Sequence, residues 1–249
     1  MIDLNHKSGY WPGRIAAVEP PIGELMNAAI DTGLARQRAK EPRRDYLGAS
    51  QLGDPCVRKL VYQYKGYEGA PPRGLMLRVF AAGHAFEALT IEWLRLAGFD
   101  VRDRDAHGRQ FRFTQARGRI SGGIDGIIAS GPVRLPYPLL FEHKAVKAST
   151  WNKFVKHGVA GTSEVYEGQA HLYMGYLNLD NGLFCAMNKD TEEYYWELMP
   201  FNLPLCQKLS DRAVDILRMA EFDDLPPRIA AGRDHYWCRM CDFAERCWA

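Results

Sequence analysis

The sequence predicts an α/β (α+β) domain, a central mixed sheet flanked by helices. Three observations predict it. Composition is globular, with 47% hydrophobic and 25% charged residues in 249. Strand-like and helix-like patterns alternate closely along the chain. An apolar strand pattern, 139–146, carries a Glu and a Lys at its middle, which a sheet buries only when they are paired or bound.

The elements follow in order. Residues 21–40 read as a helix entered through Pro20-Pro21. Residues 69–74, with Pro71-Pro72, form a loop. A long helix spans 75–97, with Leu75, Val79, Phe86, Leu89, Trp93 and Leu96 as its expected buried stripe and Gly98 as its stop. Residues 110–114 alternate as a strand, and 120–129 read as one further strand. A turn region spans 132–138, and 139–146 is a short buried strand. Helices follow at 150–156 and 163–177, then strands at 183–187 and 193–198. A helix at 204–221 carries the stripe Cys206, Leu209, Ala213, Ile216 and Ala220. The last fifteen residues are aromatic and Cys-rich.

Charge and targeting narrow the function classes. Net charge is only +2, but it is polarised. Seven Arg and three acids lie between Arg95 and Arg119, nine acids and three bases between Asp190 and Asp224, and a basic cluster between Arg36 and Arg44. Such polarity suits a surface with one anion-facing side, and equally suits solvated faces. No apolar run approaches the ~20 residues of a membrane span. Met1 to Lys7 is polar and no apolar stretch follows, so the expected compartment is cytoplasmic and reducing. Six cysteines there are not expected to form disulfides.

The chemistry gathers in two constellations. Within Leu139–Val146, Glu142 and Lys144 point to one face of a strand. A carboxylate there suits a hard divalent cation. A lysine there suits a nucleophilic water or a charged phosphate. A second acid, Asp125, sits in the glycine-flanked segment Ser121-Gly122-Gly123-Ile124-Asp125-Gly126. A third, Glu87, lies on the preceding helix four residues after Gly83. Gln169 and Tyr173 share a face of the helix 163–177. The second constellation is C-x2-C-x5-C at Cys238, Cys241 and Cys247, a spacing that brings thiols to one metal centre. Cys185 and Cys206 read as buried hydrophobes, whereas Cys56 sits at a turn into a helix behind Pro55.

The ordered set Gly83…Glu87, Gly122…Asp125, Glu142-His143-Lys144 and Gln169…Tyr173 resembles the PD-(D/E)XK nuclease superfamily in its RecB-like exonuclease branch. The resemblance covers roughly residues 46–249 and implies a restriction-endonuclease-like core. It implies Glu87, Asp125, Glu142 and the His143 main-chain carbonyl as ligands of Mg2+ or Mn2+, and Lys144 as the catalytic lysine. Gln169 and Tyr173 would lie near the metal and the DNA. Relatives often carry His at the Glu87 position, so His84, one turn earlier, stands as an alternative.

Cys56 with the three C-terminal cysteines resembles the iron–sulfur members of that branch, the AddB-type and the CRISPR-associated and phage RecB-like exonucleases. The resemblance implies Cys56, Cys238, Cys241 and Cys247 around a structural [4Fe-4S] cluster, with zinc as the physical competitor. The implied function is a divalent-metal-dependent DNA nuclease, an exonuclease, serving DNA recombination, repair or processing. Its partner is DNA that is single-stranded or has free ends. Arginines 102–119 with Lys147, Lys153 and Lys156 are the expected backbone contacts. The alternatives are a non-catalytic DNA-binding or assembly protein and a zinc-stapled endonuclease. Residues 1–45 form an accessory segment, where Trp11 and the arginines of 36–44 are possible DNA contacts.

Overall fold

The computed structural model describes residues 20–42, 44–222 and 224–249, so Trp11 and Arg43 lie outside the described residues. The chain opens with α1 (Ile22–Arg38), a two-residue β1 (Leu47–Gly48) and a 3₁₀ turn at Ala49–Gln51. Then come α2 (Val57–Lys65), α3 (Gly74–Leu96), β2 (Asp100–Arg102), β3 (Arg112–Gln115), β4 (Ile120–Gly123), β5 (Gly126–Ser130) and β6 (Leu139–Val146). The remainder is α4 (Ala148–His157), α5 (Glu164–Leu177), β7 (Asn181–Asn188), β8 (Tyr194–Pro200), α6 (Leu203–Glu221), α7 (Tyr236–Arg239) and α8 (Ala244–Trp248).

Five strands form a mixed sheet in the order β2-β5-β6-β7-β8. β6 and β7 are parallel, with α4 and α5 as their crossover, and the other pairs are antiparallel. The expected central mixed sheet is therefore present. A second sheet, β1-β4-β3, was not foreseen. The single strand expected at 120–129 is two strands, β4 and β5, one in each sheet, broken at Ile124-Asp125. The break follows from the local backbone: Phe111 O accepts from Ile124 N (3.0 Å), and Gln110 Nε2 donates to Ile124 O (3.0 Å). Both ladder groups of Ile124 are thus taken by the 110–111 segment rather than by β6.

Alternation along β6 separates two cores. Leu140 and Val146 enter the larger core with Phe154, Tyr173 and Phe184. Leu139 and Phe141 enter a smaller one with Ile91, Val101, Ile128 and Cys185. Glu142 and Lys144 share the first face, the side that α5 covers.

Two helices repeat what their sequences encode. In α6 the side chain of Asn202 accepts from Leu205 N as N-cap, and every residue of the expected stripe is buried. Ser163 caps α5 by accepting from Tyr166 N, and Asn178 in the left-handed region ends it.

The expected stripe of α3 is corrected. Leu77, Thr90 and Ile91 are the buried residues, while Leu75, Val79, Leu89, Trp93 and Leu96 are exposed, Leu96 by 78%. A helix apolar on all sides has no periodicity that selects a face. The same property makes Gly74–Leu96 long and apolar enough to cross a membrane by length and composition, contrary to the expectation that no segment approaches that length. In the structure it lies along α1 and β6. Arg78 pairs with Asp31 (3.1 Å) and donates to Asn27 Oδ1 (3.3 Å), tying α3 to α1.

Candidate functional site

β5 and β6 run antiparallel with Gly126 opposite Phe141, which sets Asp125 beside the Glu142-His143 peptide. Asp125 Oδ2 accepts from the His143 main-chain N–H at 2.8 Å. The interruption between β4 and β5 has a structural consequence. It frees Asp125 from its own ladder and turns the carboxylate across to β6.

Glu142 is buried (1% exposed). Its Oε1 accepts from Lys144 Nζ and from Gln169 Nε2 (2.6 Å), while its Oε2 is buried without a hydrogen-bond partner. A carboxylate oxygen buried without a donor is costly. The neighbouring charges make the site asymmetric. Burial first, then the charge of Asp125, pushes Glu142 up to about 8, and the same two causes push Glu87 up to about 7. Burial opposes the charge on Lys144, but Glu142 and Asp125 outweigh it and hold the ammonium protonated. The Lys144 ammonium also lies 5.3 Å from the ring centroid of Tyr166.

Glu87 reaches this group from α3. The other candidate, His84, has its side chain 82% exposed and lies 3.6 Å from Glu87. The helix turns it outward, so Glu87 rather than His84 faces the acids. His143 contributes its backbone, not its ring, to Asp125. Its Nε2 meets Thr90 Oγ1 (3.1 Å), which donates to Phe86 O and contacts Tyr194 Oη (2.9 Å). Burial, then Lys144, lowers His143 to about 4, so the ring is neutral.

Gln169 reaches Glu142 as the shared helix face implies, but Tyr173 is 1% exposed and stands edge-on to Phe113 with centroids 5.0 Å apart. That burial sets it in the core, close enough to feel the charges of Glu142, Lys144 and Asp125. Its ring presses on Gly122, where an added Cβ would come within 2.9 Å of Tyr173 Cε1 and 2.7 Å of Phe113 Cζ. Sequence reasoning missed Thr90 and Tyr166. Tyr166, three residues before Gln169 and so on the same face of α5, carried a readable signal. Among the described residues, no three His, Cys, Asp or Glu side chains are set to hold a single ion as they stand.

The arginine stretch is interleaved with acids, and several of its arginines are paired. Arg102 pairs with Asp100 (2.6 Å), Arg104 with Asp103 (3.4 Å) and Arg109 with Asp105 (2.7 Å), and Arg119 lies 3.7 Å from Glu221. The three acids of the stretch are all engaged, and a local excess of positive charge remains. Lys147, Lys153 and Lys156 are exposed at and along α4, directly beyond Lys144.

The four cysteines from the two ends of the chain line one cavity, together with Asp54, Lys59, Arg228, Trp237 and Trp248. Asp54 organises its rim, accepting from Cys56 N (2.9 Å) and Lys59 Nζ (2.6 Å). Arg58 Nε donates to Pro226 O (2.7 Å) and Arg228 Nε to Cys247 O (2.9 Å), so α2 is tied to the C-terminal segment. Burial pushes the Cys56 and Cys241 thiols up. Cys185 and Cys206 are buried apart from this cavity, in β7 and α6.

No protein-family model and no curated protein matches the sequence. Among solved structures, the chain is similar to the crystal structure of an alkaline exonuclease from Laribacter hongkongensis, with TM-score 0.52 and 13% identity over 73% of this chain and 91% of that one. The same exonuclease in complex with dAMP gives TM-score 0.52 and 14% identity over the same shares. At these identities the likeness is one of fold, and the mixed α/β architecture described above is the one this chain shares with that exonuclease.

Proposed function

We propose that the protein is a divalent-metal-dependent DNA nuclease, an exonuclease, whose core spans residues 46–249 and is closed by an iron–sulfur cluster. Residues 1–45 are accessory. One observation carries the reading: a buried Glu142 that shares an oxygen with Lys144 and Gln169, faces Asp125 and Glu87, and keeps a second oxygen unpartnered.

The donor set is all carboxylate and carbonyl oxygen, which suits Mg2+ or Mn2+. Glu87, Asp125, Glu142 and the His143 carbonyl would hold the ion. Bound there, a divalent cation supplies Lewis-acid polarisation of the scissile phosphate and a more acidic water. The rest falls to the chain. Lys144 stays protonated and places positive charge where the phosphate's negative charge grows. Gln169 and Tyr166 fix the positions of Glu142 and Lys144. Lys147, Lys153 and Lys156 offer the backbone contacts that make binding salt-dependent. The alkaline exonuclease whose fold this chain shares supports the same activity class.

Four thiols lining one cavity fit a cluster ligated by Cys56, Cys238, Cys241 and Cys247. A cluster spreads its ligation over four iron atoms, so the thiols need not meet at the point that a single zinc ion requires.

The test is degradation of end-labelled linear DNA and of circular single strands by anaerobically purified protein in Mn2+, Mg2+ or EDTA. Cation-dependent loss of linear DNA, with the circle spared and Glu142→Ala inactive, is expected. A cluster-loaded protein that binds DNA and cuts none of these would leave a binding or assembly role in its place. Iron, sulfide and zinc content of the same preparation decides the second centre.

A further inference from the structure

We propose that the indole N–H of Trp248 donates a hydrogen bond to the sulfur atoms of the centre held by Cys56, Cys238, Cys241 and Cys247, and so sets how readily that centre accepts an electron. The inference rests on the cluster reading above and adds to it a residue outside the cysteine pattern.

Trp248 follows Cys247 directly and ends α8. Its ring lines the cavity that the four thiols share. Its Nε1 is buried and has no hydrogen-bond partner. A buried donor left unpaired is costly, and native structures leave few of them. The side-chain acceptors of this cavity are few. The carboxylate of Asp54 is already engaged, by Cys56 N at one oxygen and Lys59 at the other. The remaining acceptors on the cavity's lining side chains are the cysteine sulfurs, joined by inorganic sulfide where a cluster is bound.

The ring is also fixed in place. The guanidinium of Arg228 lies 4.7 Å from its centroid, and Arg228 Nε is itself held by Cys247 O. Trp237 lines the same cavity but is 43% exposed, so it provides an internal control.

An N–H donated to cluster sulfur stabilises the reduced, more negative state over the oxidised one, and hydrogen bonds to sulfur are among the terms that set the potential. Deleting that single donor makes the cluster harder to reduce.

The experiment compares wild type, Trp248→Phe and Trp237→Phe, each purified anaerobically and assayed for iron and sulfide. Each is then titrated with dithionite in the presence of redox mediators. At the wild-type midpoint potential, the reduced-to-oxidised ratio is expected to fall about tenfold in Trp248→Phe, a shift of about 59 mV for one electron. Trp237→Phe is expected to stay unshifted. Should Trp248→Phe lose its cluster, 3-benzothienylalanine at position 248 keeps the ring shape and removes only the N–H, and the same shift is expected. A loaded variant at position 248 with an unshifted midpoint overturns this proposal and leaves the cluster reading intact. Wild-type protein that carries zinc and no iron overturns both.

Discussion

Glu142 and Lys144 stand two residues apart on one strand, whereas Cys56 and Cys247 come from opposite ends of the chain. Register sets the first site. The pairing of β5 with β6 places Asp125 beside Glu142, and α5 lowers Gln169 onto it. Both flanks are sheet and helix with their own buried cores. The second site has no strand in it. Two short helices, the start of α2 and a few side-chain-to-backbone hydrogen bonds hold it. A site set by register keeps its shape when a ligand is lost. A site gathered from chain ends draws on its ligand for folding, because metal-binding free energy becomes folding free energy there. Damage at the two places should therefore read out differently.

The largest effect is expected at the carboxylates. Glu142→Gln keeps the volume and removes the charge that Lys144 pairs with and that the proposed cation would need. The rate of linear DNA degradation should fall roughly 10²–10³-fold, the scale of a lost electrostatic group, with the native circular dichroism spectrum retained. Cys241→Ser should do the reverse in emphasis. Loss of the centre at a cost of about 3 kcal/mol lowers Tm by roughly 6–12 °C in a chain of this size, measured by calorimetry under argon. If Glu142→Gln were to lower Tm as much as Cys241→Ser, the contrast between the two sites would be wrong.

Proton competition sharpens the comparison. Glu87 and Glu142 are raised to about 7 and about 8, by burial and then by Asp125. Below these values the folded protein holds protons that a cation must displace. Mn2+ affinity should therefore rise with pH between 6 and 8, by about tenfold per unit for each proton released, as read by calorimetric titration. The stability of the metal-free protein moves the opposite way. Raised carboxyl groups bind more protons folded than unfolded, so this contribution favours the folded state at low pH and is lost as pH climbs through 7 and 8. Two opposed slopes are expected, and parallel ones would place the cation elsewhere.

A stability change with no charge comes next. Gly122→Ala puts a methyl group against Phe113 and Tyr173, two rings already in edge contact. Overpacking of this kind costs about 1–3 kcal/mol, visible in urea unfolding.

How far all this could be read in advance depended on whether sequence period and burial agreed. In α6 they agree, and Cys206, Leu209, Ala213, Ile216 and Ala220 are buried as spaced. In α3 they part, because apolar residues lie all round the helix and the polar Thr90 is one of its few buried residues. The alternation of 139–146 gave Glu142 and Lys144 a common face. The isoleucine-rich run at 120–129 concealed a change of sheet, since Ile124 satisfies its backbone from Phe111 and Gln110, partners no local pattern reveals. Ion pairing along 95–119 was legible in outline as interleaved Arg and Asp, but which pairs close depends on turns such as the one that Asp105 makes with His107 and Arg109. The four cysteines were legible as ligand types. Their shared cavity rests on contacts between residues more than 160 apart, such as that of Arg58 with Pro226, which no spacing rule encodes.

The smallest effect separates two residues of which the sequence spacing favoured Glu87 and left His84 as the alternative. His84 and Glu87 lie one turn apart on α3 and touch at 3.6 Å. A shared turn does not give a shared environment. Glu87 is carried toward Asp125 and Glu142 and feels their charge, while the His84 ring is 82% exposed to solvent. Solvent-exposed ion pairs contribute ~0–1 kcal/mol. His84→Ala should therefore leave the rate of linear DNA degradation within about twofold of wild type, the order of change that a fraction of a kcal/mol produces. Glu87→Ala should approach the loss seen at Glu142. If His84→Ala instead matched Glu142→Gln, α3 would have to rotate by ~60°, the angle by which three residues fall short of a full turn, when DNA and cation bind. The Thr90 contacts to His143 and Tyr194 oppose that rotation, because it would break both at once.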